Sequence, residues 1–155
     1  MTMIYFSGSI SGGRGDIAVY RNFVNALENA GHRVLAGSVV SETIGAEGDR
    51  LPSEDIFDRD VGWLEDVAHE GGVLVADVSM PSIGVGYEIA AARYRFGIQV
   101  ICLYRPTHSK RCSAMVAGDT GIELISYSDS TLAEATARLL RVLERVANKP
   151  AGSPV

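Results

Sequence analysis

The sequence predicts a single-domain α/β protein, a doubly wound sandwich built on a parallel sheet. Short, near-continuous apolar runs such as Val73-Leu74-Val75-Ala76 are what strands covered on both faces require. These runs alternate with stretches of helical periodicity in the order strand, helix, strand, helix, strand, helix, strand, strand, helix. The chain has 155 residues, 46% hydrophobic and 21% charged, enough for one proper core. No internal repeat, low-complexity tract or linker divides it, so residues 1–148 are expected to form the domain and 149–155 a loose tail.

Met3-Ile4-Tyr5-Phe6 reads as the first strand, cut off by Ser7-Gly8-Ser9. A loop rich in Gly and Ser runs from Ser7 to Gly15. Asp16 then stands as N-cap to a helix on which Tyr20, Phe23, Val24 and Leu27 recur at helical spacing, with Gly31 as its C′ residue. Arg33-Val34-Leu35 is the second strand. Gly37 to Pro52 has little periodicity and is expected to be a mobile or ligand-covering loop.

Ser53 is placed to cap the next helix, with Glu54 and Asp55 in the first turn, where the dipole favours acids. Ile56, Trp63, Leu64 and Val67 share one face of it. Asp60 falls within the same arc, and Asp58 lies opposite. Gly71-Gly72 ends the element and Val73 to Ala76 forms the third strand. The loop Ser79 to Gly84 leads into a helix expected from Val85 to Arg95. Val100 to Tyr104 and Glu123 to Tyr127 are the fourth and fifth strands. The last helix is expected to open with a capping box, Thr131 and Glu134, and to stripe Leu132, Ala135, Leu139, Leu143 and Val146 along one side.

Charge narrows the function classes. There are 14 Lys and Arg against 19 Asp and Glu, a net charge of −5, and no basic run longer than two. That disfavours a nucleic-acid polymer as partner. A small anionic ligand stays open, because local backbone dipoles can outweigh net charge. No charged segment precedes an apolar leader-like core, and no apolar stretch approaches the roughly 18 residues of a membrane span. With only Cys102 and Cys112, the first inside an apolar strand, a reducing, cytoplasmic setting without membrane contact is expected. His32, His69 and His108 show no ligand spacing, so neither metal nor cofactor is expected. Ser113 has no nucleophile-elbow context.

In an open parallel sheet, ligands bind beyond the carboxyl ends of the strands, where strand order reverses. The loops after the first and third strands are the two segments richest in Gly and Ser, and that locates the pocket. Gly8-Ser9-Ile10-Ser11-Gly12-Gly13-Arg14 matches neither a Walker loop nor the dinucleotide fingerprint. It reads either as a phosphate contact or as a plain tight turn. Pro81-Ser82-Ile83-Gly84-Val85-Gly86-Tyr87-Glu88 is more specific, with free N–H groups and a Ser hydroxyl at a helix start. Glu88 is expected near the first turn, where the dipole would keep it ionised and nucleophilic; a surface Glu that merely complements the dipole fits equally. Asp60, on an apolar stripe, is costly unless paired, although a half-exposed helix edge would accommodate it. Together the two acids form the minimum kit for glycosidic cleavage. The hydroxyl of Tyr5 or of Tyr87 can orient the candidate nucleophile, core packing being the alternative for each.

With these residues identified, the chain resembles the 2′-deoxynucleoside 5′-phosphate N-hydrolases, of the nucleoside 2-deoxyribosyltransferase superfamily. The matching segments are Tyr5 to Arg14, Asp60-Val61-Gly62-Trp63-Leu64, Val75 to Glu88, and Arg105-Pro106 with Ser113-Ala114-Met115. The resemblance implies a flavodoxin-like, five-stranded parallel sheet, a homodimer and cleavage of deoxynucleoside monophosphates. It implies that Glu88 attacks C1′, Asp60 holds the sugar and assists protonation of the base, and Tyr5 orients Glu88. Ser82, Gly84 and the helix N-terminus would hold the 5′-phosphate, with Gly86 and, from the first loop, Gly8, Ser9, Ile10 and Arg14 among the other substrate contacts. Ser113 and Met115 would reach in from a second subunit. A phosphate held away from C1′ converts remote binding energy into placement of the reacting carbon. The chain departs from the family at Ser11, often an Arg, and at Ser38, in a segment that tends to carry His. A deoxyribosyltransferase and a non-catalytic nucleotide-binding module are the competing readings.

Overall fold

In a computed structural model, which describes residues 1–10, 16–40, 51–106 and 110–148, five strands form one parallel sheet in the order β2-β1-β3-β4-β5. The strands are β1 (Met3–Ser7), β2 (Arg33–Leu35), β3 (Val73–Asp77), β4 (Gln99–Tyr104) and β5 (Ile122–Ser126). Strand order reverses between β1 and β3, as the doubly wound reading requires.

Alternation along the strands sorts the core into two layers. Ile4 and Phe6 of β1 and Val73 and Val75 of β3 pack with Tyr20, Phe23 and Leu27 of α1 (Ile17–Asn29). Leu139 and Leu143 of α5 (Leu132–Ala147) complete that layer. Met3 and Tyr5, with Leu74 and Ala76, face the other way. They meet Leu64 and Val67 of α2 (Ser53–His69) and Val85 and Ile89 of α3 (Ile83–Ala90). The period of two therefore sends odd-numbered β1 residues toward α2 and α3. Cys102 lies buried in this second layer, where burial pushes its thiol up to about 12.

Several expected boundaries move. Strand β1 includes Ser7 instead of stopping at Phe6. Helix α3 starts at Ile83, two residues earlier than the periodicity predicts, because Ser82 is extended and its hydroxyl accepts from the Val85 N–H at 3.4 Å. Residues Ala91–Arg95 continue it as a π-helical turn. Pro52, not Ser53, holds the N-cap position of α2, and it offers no capping side chain. The capping box at the last helix is formed by Ser128 and Thr131, around a 3₁₀ turn at Asp129–Thr131, instead of by Thr131 and Glu134. Gly37–Val40 is another 3₁₀ turn within the expected loop; residues 41–50 of that loop, the expected tail 149–155, and Ser11 and Arg14 lie outside the described residues.

Asp16 stands at the α1 N-cap position without making a capping bond. Its carboxylate instead takes the Arg105 guanidinium, which also holds Asp129. The Arg105 N–H donates to Ser79 Oγ at 2.9 Å, the Ser79 N–H to Asp77 Oδ1 at 3.0 Å, and the Tyr127 hydroxyl to Asp77 Oδ2 at 2.8 Å. Burial pushes the Asp77 carboxyl up. This buried network ties the start of α1 to the ends of β3, β4 and β5, so the loops around the crevice are fixed to the sheet from beneath.

Gly37 has φ of +43°, and a methyl group there would stand 2.5 Å from Trp63 Cη2. Gly37→Ala is therefore expected to cost about 1–3 kcal/mol through positive-φ strain and overpacking. At about 2–4 °C per kcal/mol for a chain of this size, a thermal melt reads the loss directly. Trp63 is the chain's one Trp, so its fluorescence should shift in the folded variant.

Candidate active site

The crevice beyond β1 and β3 holds a cavity of about 250 Å³. Tyr5, Ser7, Gly8 and Ile10 line it from β1 and its loop; Ile56, Arg59, Asp60 and Trp63 line it from α2. Ser82, Gly84, Val85 and Glu88 close it from the start of α3. The two candidate carboxylates thus share one cavity with Tyr5.

Glu88 is the best-defined side chain there. The Tyr5 hydroxyl donates to its Oε1 at 2.7 Å, and the Ser7 hydroxyl donates to its Oε2. Because α3 begins at Ile83, Glu88 lies in the second turn, beyond the reach of the dipole argument made from sequence. Its electrostatics follow from its surroundings instead. Burial pushes the carboxyl up and Asp60 adds to this, while the Ser7 and Tyr5 hydroxyls and the Arg59 charge pull it back. The net direction is upward. The Tyr5 phenol is raised far more, by burial and by the two carboxylates, so it stays a donor.

Asp60 does find a partner: Arg59 Nε donates to its Oδ1 at 2.9 Å. The same guanidinium lies 5.0 Å from the centre of the Trp63 ring, and Tyr5 meets that ring edge-on at 5.5 Å. Aromatic walls thus hold both the cation and the phenol in place. Tyr87, the other candidate hydroxyl, is 55% exposed and packs against Phe57, so of the two only Tyr5 bonds Glu88.

The structure distributes the remaining sequence candidates unevenly. Gly86 and Ser113 lie on a neighbouring cavity of about 430 Å³, which shares Ser82 and Val85 with the first. Ser113 stands at the N-cap of the short helix α4 (Ala114–Ala117), and Met115 is 85% exposed. Within this chain neither reaches Glu88, and Ser9 is not on the wall of either cavity. Sequence reasoning missed Ser7 and Arg59 as site residues. The period-two pattern of β1 could have found Ser7, since it shares a face with Tyr5. No group of three or more His, Cys, Asp or Glu among the described residues is placed to hold a metal, and no described helix is long and apolar enough to cross a membrane.

Comparison with known proteins follows the same lines. The chain is 39% identical over 127 residues to a 5-hydroxymethyl-dUMP N-hydrolase of Danio rerio, covering 81% of this chain and 85% of that one. It is 41% identical over 128 residues to a putative 2′-deoxynucleoside 5′-phosphate N-hydrolase 1 of Methanosarcina mazei, covering 81% and 75%. The chain belongs to the 2′-deoxynucleoside 5′-phosphate N-hydrolase family. A human member, a 5-hydroxymethyl-dUMP N-hydrolase, is 36% identical over 143 residues, or 91% of this chain and 79% of the relative. The chain matches no family model. The fold is shared with a Clostridium botulinum CMP N-glycosidase, BcmB, at a TM-score of 0.63 and 13% identity over 92% of this chain and all of that one.

Proposed function

We propose that this chain hydrolyses the N-glycosidic bond of 2′-deoxynucleoside 5′-monophosphates, releasing free base and deoxyribose 5-phosphate through a covalent intermediate on Glu88. The observation that carries the reading is the half-buried Glu88 carboxylate, held by Tyr5 in a cavity that also contains Asp60. Membership of the N-hydrolase family supports the substrate class.

Glu88 attacks C1′ as the C1′–N bond breaks, and the bonding electrons leave with the base. The oxocarbenium-like transition state is stabilised by a carboxylate already facing it. Asp60 holds the sugar and assists protonation of the departing base. Water then attacks C1′ and returns the carboxylate. Ser82, Gly84 and the N–H groups at the start of α3 take the 5′-phosphate, as an exposed helix N-terminus favours an anion.

A second copy of the chain completes the site. Ile83 is 95% exposed and Met115 85%, with Phe57 and Tyr87 in ring contact beside α3. Large apolar side chains so exposed mark a surface to be covered. In the dimer that results, the partner copy brings Ser113 and Met115 toward the nucleotide.

Chromatography of free base released from a panel of deoxynucleoside monophosphates tests the reading. Matching nucleosides, ribonucleotides and 5-substituted deoxyuridylates are the informative comparisons. Release confined to the deoxymonophosphates is expected. Transfer of the sugar to an added base, or ligand-induced thermal stabilisation without any release, would overturn it.

A further inference from the structure

Ser7 lies at the carboxyl end of β1, 2% exposed, and donates its hydroxyl to Glu88 Oε2, while Tyr5 serves Oε1 at 2.7 Å. We propose that Ser7 is a positioning residue of the N-hydrolase site, clamping the Glu88 carboxylate jointly with Tyr5 so that its plane faces C1′. The inference rests on the reading of Glu88 as nucleophile and adds what holds it in attacking geometry.

The last torsion of a Glu side chain is a broad, roughly twofold rotor. One donor leaves the carboxylate free to swing about a single hydrogen bond. Two donors on different oxygens remove that freedom. Both hydroxyls here come from one strand face, two residues apart, so the rigid sheet sets their spacing. Each carboxylate oxygen has about two lone pairs; one on each receives a hydroxyl, and the other stays available for attack. After the ester forms, the same donors favour carboxylate as the leaving group when water attacks C1′.

The charge environment supports the assignment. The groups facing Glu88 are Tyr5 and Ser7 from β1, and Asp60 and Arg59 from α2. Burial and Asp60 push the carboxyl up; the two hydroxyls and Arg59 pull it down. Removing the Ser7 donor therefore moves the ionisation to higher pH. A hydroxyl that merely satisfied itself in the strand would leave that profile unchanged.

The test is kcat and KM for base release across pH, in wild type, Ser7→Ala and Ser7→Cys, with Tm measured alongside. Substrate phosphate ionises near pH 6 in every sample, at about the same value, so only differences between enzymes count. For Ser7→Ala we expect kcat to fall about tenfold or more, since small misplacements of a reacting group are costly, with KM nearly unchanged. The acid limb of kcat/KM should move upward, and Ser7→Cys, with its weaker S–H donor, should fall between. Should Ser7→Ala not fold, Ser7→Cys decides by the same limb. A wild-type acid limb in the folded variant overturns the proposal. Glu88→Ala separates the layers: if it is inactive while Ser7→Ala behaves as wild type, Ser7 alone is wrong. Retained activity in Glu88→Ala overturns the nucleophile itself.

Discussion

Replacing Glu88 with Gln is expected to lower kcat for base release by about four to six orders of magnitude, the scale on which an enzyme loses a covalent nucleophile. The isosteric amide keeps the cavity filled, and the Tyr5 and Ser7 hydroxyls can each donate or accept toward it. Nucleotide binding should survive, read as a rise in Tm on adding a deoxymonophosphate. Single-turnover chromatography then separates a chemical defect from a binding one.

The same substitution is expected to stabilise the protein, and the sign follows from linkage. Burial raises the folded-state carboxyl of Glu88 above its ordinary value of 4.5. The native state therefore holds that proton more tightly than the unfolded chain. Native stability falls as pH rises from 4.5 through the folded-state value, and above it the full penalty is present. Glu88→Gln carries no such penalty. Its Tm should exceed that of wild type at neutral pH and converge with it below 4.5, about 2–4 °C for each kcal/mol relieved. Equal Tm values at neutral pH would show that the hydroxyls fully offset burial. A gain in stability joined to a loss of activity is what a strained functional group predicts.

Much of the architecture was legible because burial on two faces leaves a strong imprint. The apolar run at Val73–Ala76 and the periodic Tyr20, Phe23, Val24 and Leu27 permit little else. Boundaries were harder, since they depend on competition among hydrogen bonds. Asp16 looks like a cap, yet Arg105, 89 residues away, takes its carboxylate. Ser128 takes the N-cap role expected of Thr131, and Thr131 the role expected of Glu134, through a 3₁₀ turn that periodicity cannot register. Glu88, Asp60 and Tyr5 were legible as a group because the switch point of the sheet brings their elements together. The dipole argument for Glu88 gives way for a physical reason: the helix begins at Ile83, which puts Glu88 in the second turn, and burial, opposed by the two hydroxyls, governs its carboxyl instead. Arg59 was invisible because its role comes from tertiary contacts with Trp63 and Asp60.

Asp60→Asn carries the next largest expected effect, a fall in kcat of about 10²–10⁴-fold, the range of general acid–base assistance. How the loss varies with the leaving base is more informative than its size. The two tasks proposed for Asp60, holding the sugar and helping protonate the base, respond differently to substrate. If the carboxyl group assists proton delivery, the loss grows with bases that depart reluctantly and shrinks toward bases that leave readily as anions. If it only holds the sugar, every base suffers alike. The Arg59 bond sharpens the contrast, because Oδ1 of Asp60 already accepts from a cation at 2.9 Å. In Asp60→Asn the carboxylate charge is gone while an amide oxygen can still accept from Arg59, and the guanidinium keeps its place over Trp63 on the cavity wall. Bases that form stable anions should then retain the most activity. A uniform loss across the panel would assign Asp60 to sugar binding alone and leave protonation of the base to water.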